Sequence, residues 1–156
     1  LMKNKKEQKL SIELLDKKLR AYNVLHEKEI PDTGWIHAIR TTLGMSLRQM
    51  GKRLSITPQS MKETEQRETE GSITLRNLRE AGKALGLQLV YGFIPQKGSL
   101  EKMIEEKAQA VAKEIVSRAS HSMMLEGQEN SKERIDEAIK ERAEEIKNEM
   151  PGHLWE

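Results

Sequence analysis

An all-α fold carrying one short β-strand is what this sequence predicts, on three observations. Aromatic residues are 3% and charged residues 33% of 156, so a core must come from Leu, Ile, Ala and Met on amphipathic helices. Apolar residues recur three and four positions apart over most of the chain, the period of a helix with one buried face. Only LQLVYGFIP, residues 87–95, reads as a strand, being β-branched and aromatic and bounded by Gly86 and Pro95. Composition shifts divide the chain into three parts: an N-terminal helix and linker over 1–33, a central module over 34–98, and a helical region over 99–156.

From about Glu7 to His26, Leu10, Leu14, Leu15, Leu19 and Tyr22 fall on one helical face, which is expected to dock elsewhere in the chain. HEKEIPDTG, with Pro31 and Gly34, breaks that pattern and reads as a linker. Trp35, Ile36, Ile39 and Leu43 form the next helix, with Gly44 as its stop.

SLRQMGKRLSITPQSMKETEQR, residues 46–67, then reads as two helices and a tight turn. Ser46 and Gln49 make a capping box, and Leu47, Met50, Gly51 and Leu54 follow at helical spacing up to a stop near Ser55. Thr57 is the second N-cap, and Pro58 takes the first helical position, where its missing N–H costs nothing. Gly51 is the small residue where the two helices cross, and Ile56 and Met61 close the wedge between them.

Thr74 caps a further helix with Leu75, Leu78, Ala81 and Leu85 inward, ended by Gly86. The strand that follows has no partner strand in the chain, so its simplest partner is the same strand of another copy, in an antiparallel ribbon and a two-fold dimer. Irregular backbone, or pairing with a different protein, are the alternatives. Ser99 caps a long helix over about 100–126 that Gly127 ends, and Asn130 with Glu133 suggests a second capping box. Ile135, Ile139, Ala143, Ile146 and Met150 line a final helix before Pro151, and Trp155 is an apolar residue that needs a docking place.

Charge is unevenly spread. Lys and Arg against Asp and Glu number 8 and 6 over 1–33, 10 and 5 over 34–98, and 9 and 14 over 99–156. A middle at +5 suits phosphates, and a tail at −5 suits a protein partner. The chain contains no cysteine, which excludes disulfides and thiolate zinc sites. No apolar run is long enough to cross a bilayer, and the Lys-rich start lacks the apolar stretch of a signal peptide, so a cytoplasmic location is expected. His26, His37, His121 and His153 lie in separate segments, and neither a glycine-rich phosphate loop nor a nucleophile elbow is present. No metal, cofactor or enzymatic activity is therefore expected.

The two-helix spacing resembles the phage-repressor (XRE) family of helix-turn-helix domains over roughly 34–86. That resemblance implies binding to double-stranded DNA at a palindromic operator. Gln59, Lys62 and Glu63 would read base edges, Gln suiting adenine and Glu the cytosine amino group, while Ser46, Arg48, Thr57 and Ser60 would hold phosphates. Arg40 would pair with Glu65 as scaffold. The chain departs from the family at Ser55, where the turn usually has glycine, and at Thr64, where the recognition helix usually has an aliphatic residue.

SMMLEG, residues 122–127, resembles the inhibitory helix motif of Fic proteins, enzymes that transfer AMP from ATP. In that family the motif's glutamate occupies an active-site arginine and blocks seating of the ATP γ-phosphate; here it would be Glu126, with Ser122 and Gly127 completing the motif. The whole layout is similar to the family called mobile mystery protein A. The match is carried by GWIHAIRTTLGMSLRQMGKRL, ITLRNLREAGKALGLQLVYGFIP, SLEKMI and a terminal LWE. Its members are encoded beside mobile mystery protein B, which carries a Fic domain. The resemblance thus implies an antitoxin-like regulator that represses its own operon as a homodimer and inhibits the Fic enzyme by inserting Glu126 at its ATP site. The alternatives are a free-standing XRE-type repressor whose C-terminal helices serve oligomerisation or effector sensing, and a helical adaptor without DNA binding.

Overall fold

The computed structural model describes residues 4–125 and 131–156. Seven α-helices are formed among them: α1 (Lys5–Arg20), α2 (Trp35–Thr42), α3 (Leu47–Arg53), α4 (Pro58–Glu70), α5 (Leu75–Ala84), α6 (Leu100–Leu125) and α7 (Lys132–Glu149). Short 3-10 turns occupy Asn23–Leu25 and Gly152–Trp155. The chain forms two units, Glu27–Gly92 and a second made of Leu1–His26 with Phe93–Glu156. The three-way division expected above is thus regrouped, because α1 joins the C-terminal helices.

In the Glu27–Gly92 unit, short helices pack on a small centre of Ile36, Met50, Met61 and Ala81, ringed by Met45, Leu54, Ile56, Leu78 and Leu85. Local chemistry starts each of them. The Ser46 hydroxyl accepts from Gln49 N while Gln49 Oε1 accepts from Ser46 N, and the hydroxyls of Thr57 and Thr74 accept from Ser60 N and Asn77 N. Gly51 is where α3 meets the chain entering α4: a Cβ there would lie 2.7 Å from the Ile56 carbonyl oxygen, so only glycine fits. Ser55 between the two helices has φ 57, a left-handed conformation that disfavours an L side chain.

In the other unit α6 and α7 form an antiparallel hairpin. Ile104, Ala108, Ala112, Ile146 and Leu154 are its buried core, and Ile12 of α1 packs against it. Small residues on α6 allow close approach of the facing helix, and α6, at 26 residues, is about 39 Å long. Its first turn is capped twice: Ser99 Oγ accepts from Lys102 N, and Asp16 of α1 accepts from Leu100 N at 2.7 Å and Glu101 N at 3.2 Å. Asp16 is buried, and its carboxylate sits where the helix dipole favours negative charge.

Four expectations need correction. Residues 87–95 form no strand, and no strand occurs among the described residues, because a single chain offers this segment no backbone partner. Helix α1 ends at Arg20 and not near His26. It also turns Ile12 and Asp16 inward and leaves Leu10, Leu14 and Leu15 exposed, since the buried carboxylate finds donors on α6 that leucines could not satisfy. The N-cap of α7 is Ser131, whose hydroxyl accepts from Arg134 N; Asn130 lies outside the described residues. At the end of the chain Leu154, not Trp155, fills the core: Leu154 is 0% and Trp155 57% exposed.

Candidate nucleic-acid interface

Helix α4 has two faces with different work. Met61 and Glu65 point inward and are buried, whereas Gln59, Lys62 and Glu63 lie exposed on the outer face. Ser46, Arg48 and Thr57, at the starts of α3 and α4, are exposed as well. Ser60 is half-buried, and its hydroxyl accepts from Thr57 Oγ1 at 2.9 Å. Helix N-termini of this kind present amide donors that suit phosphate oxygens. Glu63 also lies 3.9 Å from Arg67 one turn on; both are half exposed, so the pair constrains neither side chain much.

The inner face fixes α4 through directional bonds. Arg40 of α2 donates through Nε to Glu65 Oε1 and through Nη2 to Glu65 Oε2 at 3.1 Å, while its Nη1 reaches the Met45 carbonyl at 2.7 Å. His37 Nδ1 lies 2.9 Å from Glu65 Oε2. Arg40 and Glu65 are the charged pair expected as scaffold, and the structure brings them together with both side chains nearly covered. Burial alone would raise the Glu65 pKa; the hydrogen bonds from Arg40 and His37, with their charges, outweigh it and hold the carboxyl below its ordinary range. No buried side-chain nitrogen or oxygen among the described residues lacks a partner.

A second clamp on this face was missed in the sequence. Glu68 accepts from Trp35 N at 2.7 Å and Ile36 N at 2.8 Å, so α4 caps α2 from the side, and Thr69 Oγ1 donates to the Thr33 carbonyl at 3.2 Å. Gly34 makes room: its φ is +81, and a Cβ there would lie 3.0 Å from the Glu68 carboxylate. The signal was present in outline. A helix whose N-cap is glycine has no side chain to satisfy its first amides, so a carboxylate must come from elsewhere. Arg53, also missed, donates to the Ala84 carbonyl at 2.9 Å and caps the end of α5.

Of the candidate inhibitory motif, Ser122 is exposed in the last turn of α6, while Glu126 and Gly127 lie outside the described residues. Beside Ser122 a groove of about 320 Å³ opens between α6 and α7, lined by Ile115, Ala119, Met123, Ile135 and Ala138 among others. No group of three His, Asp or Glu placed to hold a metal occurs among the described residues, and no helix there is long and apolar enough to cross a membrane. Thr64, at the family's aliphatic position, is half-buried and spends its hydroxyl on the Ser60 carbonyl one turn back. The chain matches no family model, no curated protein and no solved structure.

Proposed function

We propose that this chain is an antitoxin-like, cytoplasmic DNA-binding regulator: a two-fold dimer whose Glu27–Gly92 unit represses its own operon and whose C-terminal helices hold a Fic-type AMP transferase inactive through Glu126. One observation carries the DNA arm. The inner face of α4 is locked by Arg40, His37 and Glu65, and its outer face offers Gln59, Lys62 and Glu63 to a groove. A well-anchored helix with exposed amide, ammonium and carboxylate groups is what direct base readout needs. Ser46, Arg48, Thr57 and Ser60 then supply phosphate contacts that set register.

The test of this arm is DNA binding by the full chain to its upstream region as salt is raised. Affinity should fall steeply with salt, and Lys62→Ala together with Gln59→Ala should relax base preference while leaving the fold intact by circular dichroism. No salt-dependent affinity would leave a helical adaptor as the surviving alternative.

The Fic arm is supported by the SMMLEG motif, by the acidic excess over 99–156 and by a resemblance in layout that spans nearly the whole chain. A glutamate at the end of a helix can compete with a triphosphate for one arginine, because both make charge-assisted bidentate contacts. Coexpression of the neighbouring Fic protein with the intact chain or with Glu126→Gly decides it. AMP transfer only with the substituted chain, and unchanged DNA binding, is the expected result. Equal activity in both would make the chain a free-standing repressor whose C-terminal helices serve another end.

A further inference from the structure

Residues 88–94 belong to no helix, turn or bend, and among the described residues none of their backbone amides or carbonyls makes a hydrogen bond. Three of their apolar side chains are largely uncovered, Val90, Tyr91 and Phe93 being 66%, 59% and 81% exposed, while Leu89 and Ile94 are half-buried. An open row of donors and acceptors beside aromatic side chains is an edge that another strand completes. Among the described residues, the other long non-helical stretch, residues 26–34, is charged and broken by Pro31.

The pattern itself says which strand fits. Alternation sets Leu87, Leu89, Tyr91 and Phe93 on one face and Gln88, Val90 and Gly92 on the other. We propose that residues 87–93 pair with the same residues of a second copy, antiparallel, with the two-fold axis at Val90. Leu89 then faces Tyr91 of the second copy and Leu87 faces its Phe93, so every aliphatic residue on the apolar face meets an aromatic one. An axis between residues would split the two copies' aromatic faces to opposite sides of the ribbon. Moving the axis to Leu89 sets Phe93 against Leu85, the C-cap of α5, and moving it to Tyr91 sets Leu87 against Pro95, which has no amide to give. Val90 alone keeps every pair between the end of α5 and Pro95. A ribbon this short lies at the small end of specific interfaces, so the dimer forms in a concentration-dependent way and operator DNA tightens it.

This deepens the dimer of the proposed regulator, and it is read without DNA or enzyme, so it stands or falls separately from those arms. The absence of native cysteine makes the trap clean. In the full chain, Val90→Cys, Leu89→Cys and, as a control on the exposed surface of α6, Ser117→Cys are oxidised under mild conditions. Opposed residues of an antiparallel pair lie at disulfide distance. Val90→Cys should give covalent dimer on the order of tenfold faster than Leu89→Cys or the control. An equimolar mixture of Leu89→Cys and Tyr91→Cys should crosslink faster than Leu89→Cys alone. The proposal is overturned if Val90→Cys crosslinks no faster than the control, if Leu89→Cys is the fastest, or if in coexpression the cysteines join the Fic protein in place of a second copy.

Discussion

The two units are held together by different physics. In Glu27–Gly92 the helices are short and the centre small, and orientation comes from directional polar contacts: Arg40 on Glu65 and the Met45 carbonyl, Glu68 on the amides of Trp35 and Ile36. In the α1, α6 and α7 unit two long helices share an apolar seam from Ile104 to Ala112 facing Ile146 and Leu154, with Asp16 as its buried polar anchor. Apolar burial is non-directional and tolerates small shifts of one helix along another, whereas a bidentate ion pair does not. In the proposed regulator, the surface meant for a rigid duplex is built the first way and the one meant for a protein partner the second.

Several substitutions would sharpen or break that contrast. The largest effect is expected from Glu65→Ala, which leaves the covered Arg40 without its counter-charge and should cost about 3–5 kcal/mol. In urea the Glu27–Gly92 unit should melt early while the helical signal of α6 and α7 persists; simultaneous loss of both would show that the units are not independent. Acid should act on the same residue. Because its carboxyl is depressed on folding, Glu65 contributes stability above the ordinary carboxylate value, and that contribution is lost as pH falls through the depressed value.

Leu154→Ala should cost the other unit about 2–4 kcal/mol by opening a cavity at a fully covered site, with the unfolding of Glu27–Gly92 unchanged. Asp16→Ala should cost about 1–2 kcal/mol, since two amides of α6 lose their acceptor, and amide hydrogen exchange at Leu100 and Glu101 would report it. Ser55→Gly should stabilise the first unit by roughly 0.5–1 kcal/mol, by relieving the left-handed turn; a loss would mean the serine hydroxyl does something its backbone conformation does not explain. The smallest effect belongs to Lys147, which hydrogen-bonds Glu105 at 2.6 Å; that bond, against a desolvation cost, raises its pKa. Its stabilisation is present below the ordinary lysine value and lost as pH rises through the raised one, so strong alkali should loosen the α6–α7 hairpin first.

What could be read in advance was local. The Ser46 and Gln49 box, the Thr57-Pro58 start, the Thr74 and Ser99 caps and the need for Gly51 all follow from residues within a few positions of one another. What could not be read was long-range and polar. Nothing near Asp16 says that its carboxylate will meet amides 84 and 85 residues away, and nothing near Glu68 points to Trp35. Spacing also says which residues share a face but not which face docks. On α1, Leu10 and Leu14 lie about 160–200° around the helix from Ile12, and the structure buries the side with the isoleucine. The run at 87–95 was legible as chemistry and not as geometry, because a strand is completed only by its neighbour.

Helix α1 belongs with α6 and α7, so the Glu27–Gly92 unit is an insertion in the sequence of another unit. During synthesis this ordering matters. The inserted unit holds its whole core within its own span and can fold as soon as it leaves the ribosome. Helix α1 has to wait until some 130 further residues are made before α7 completes its site, on the order of ten seconds at common elongation rates. Asp16 meets the amides of Leu100 and Glu101 once the start of α6 is made, but the core that Ile12 packs against stays incomplete until Ile146 and Leu154 follow, so the early life of this protein is that of a finished inserted module and an unfinished surrounding one.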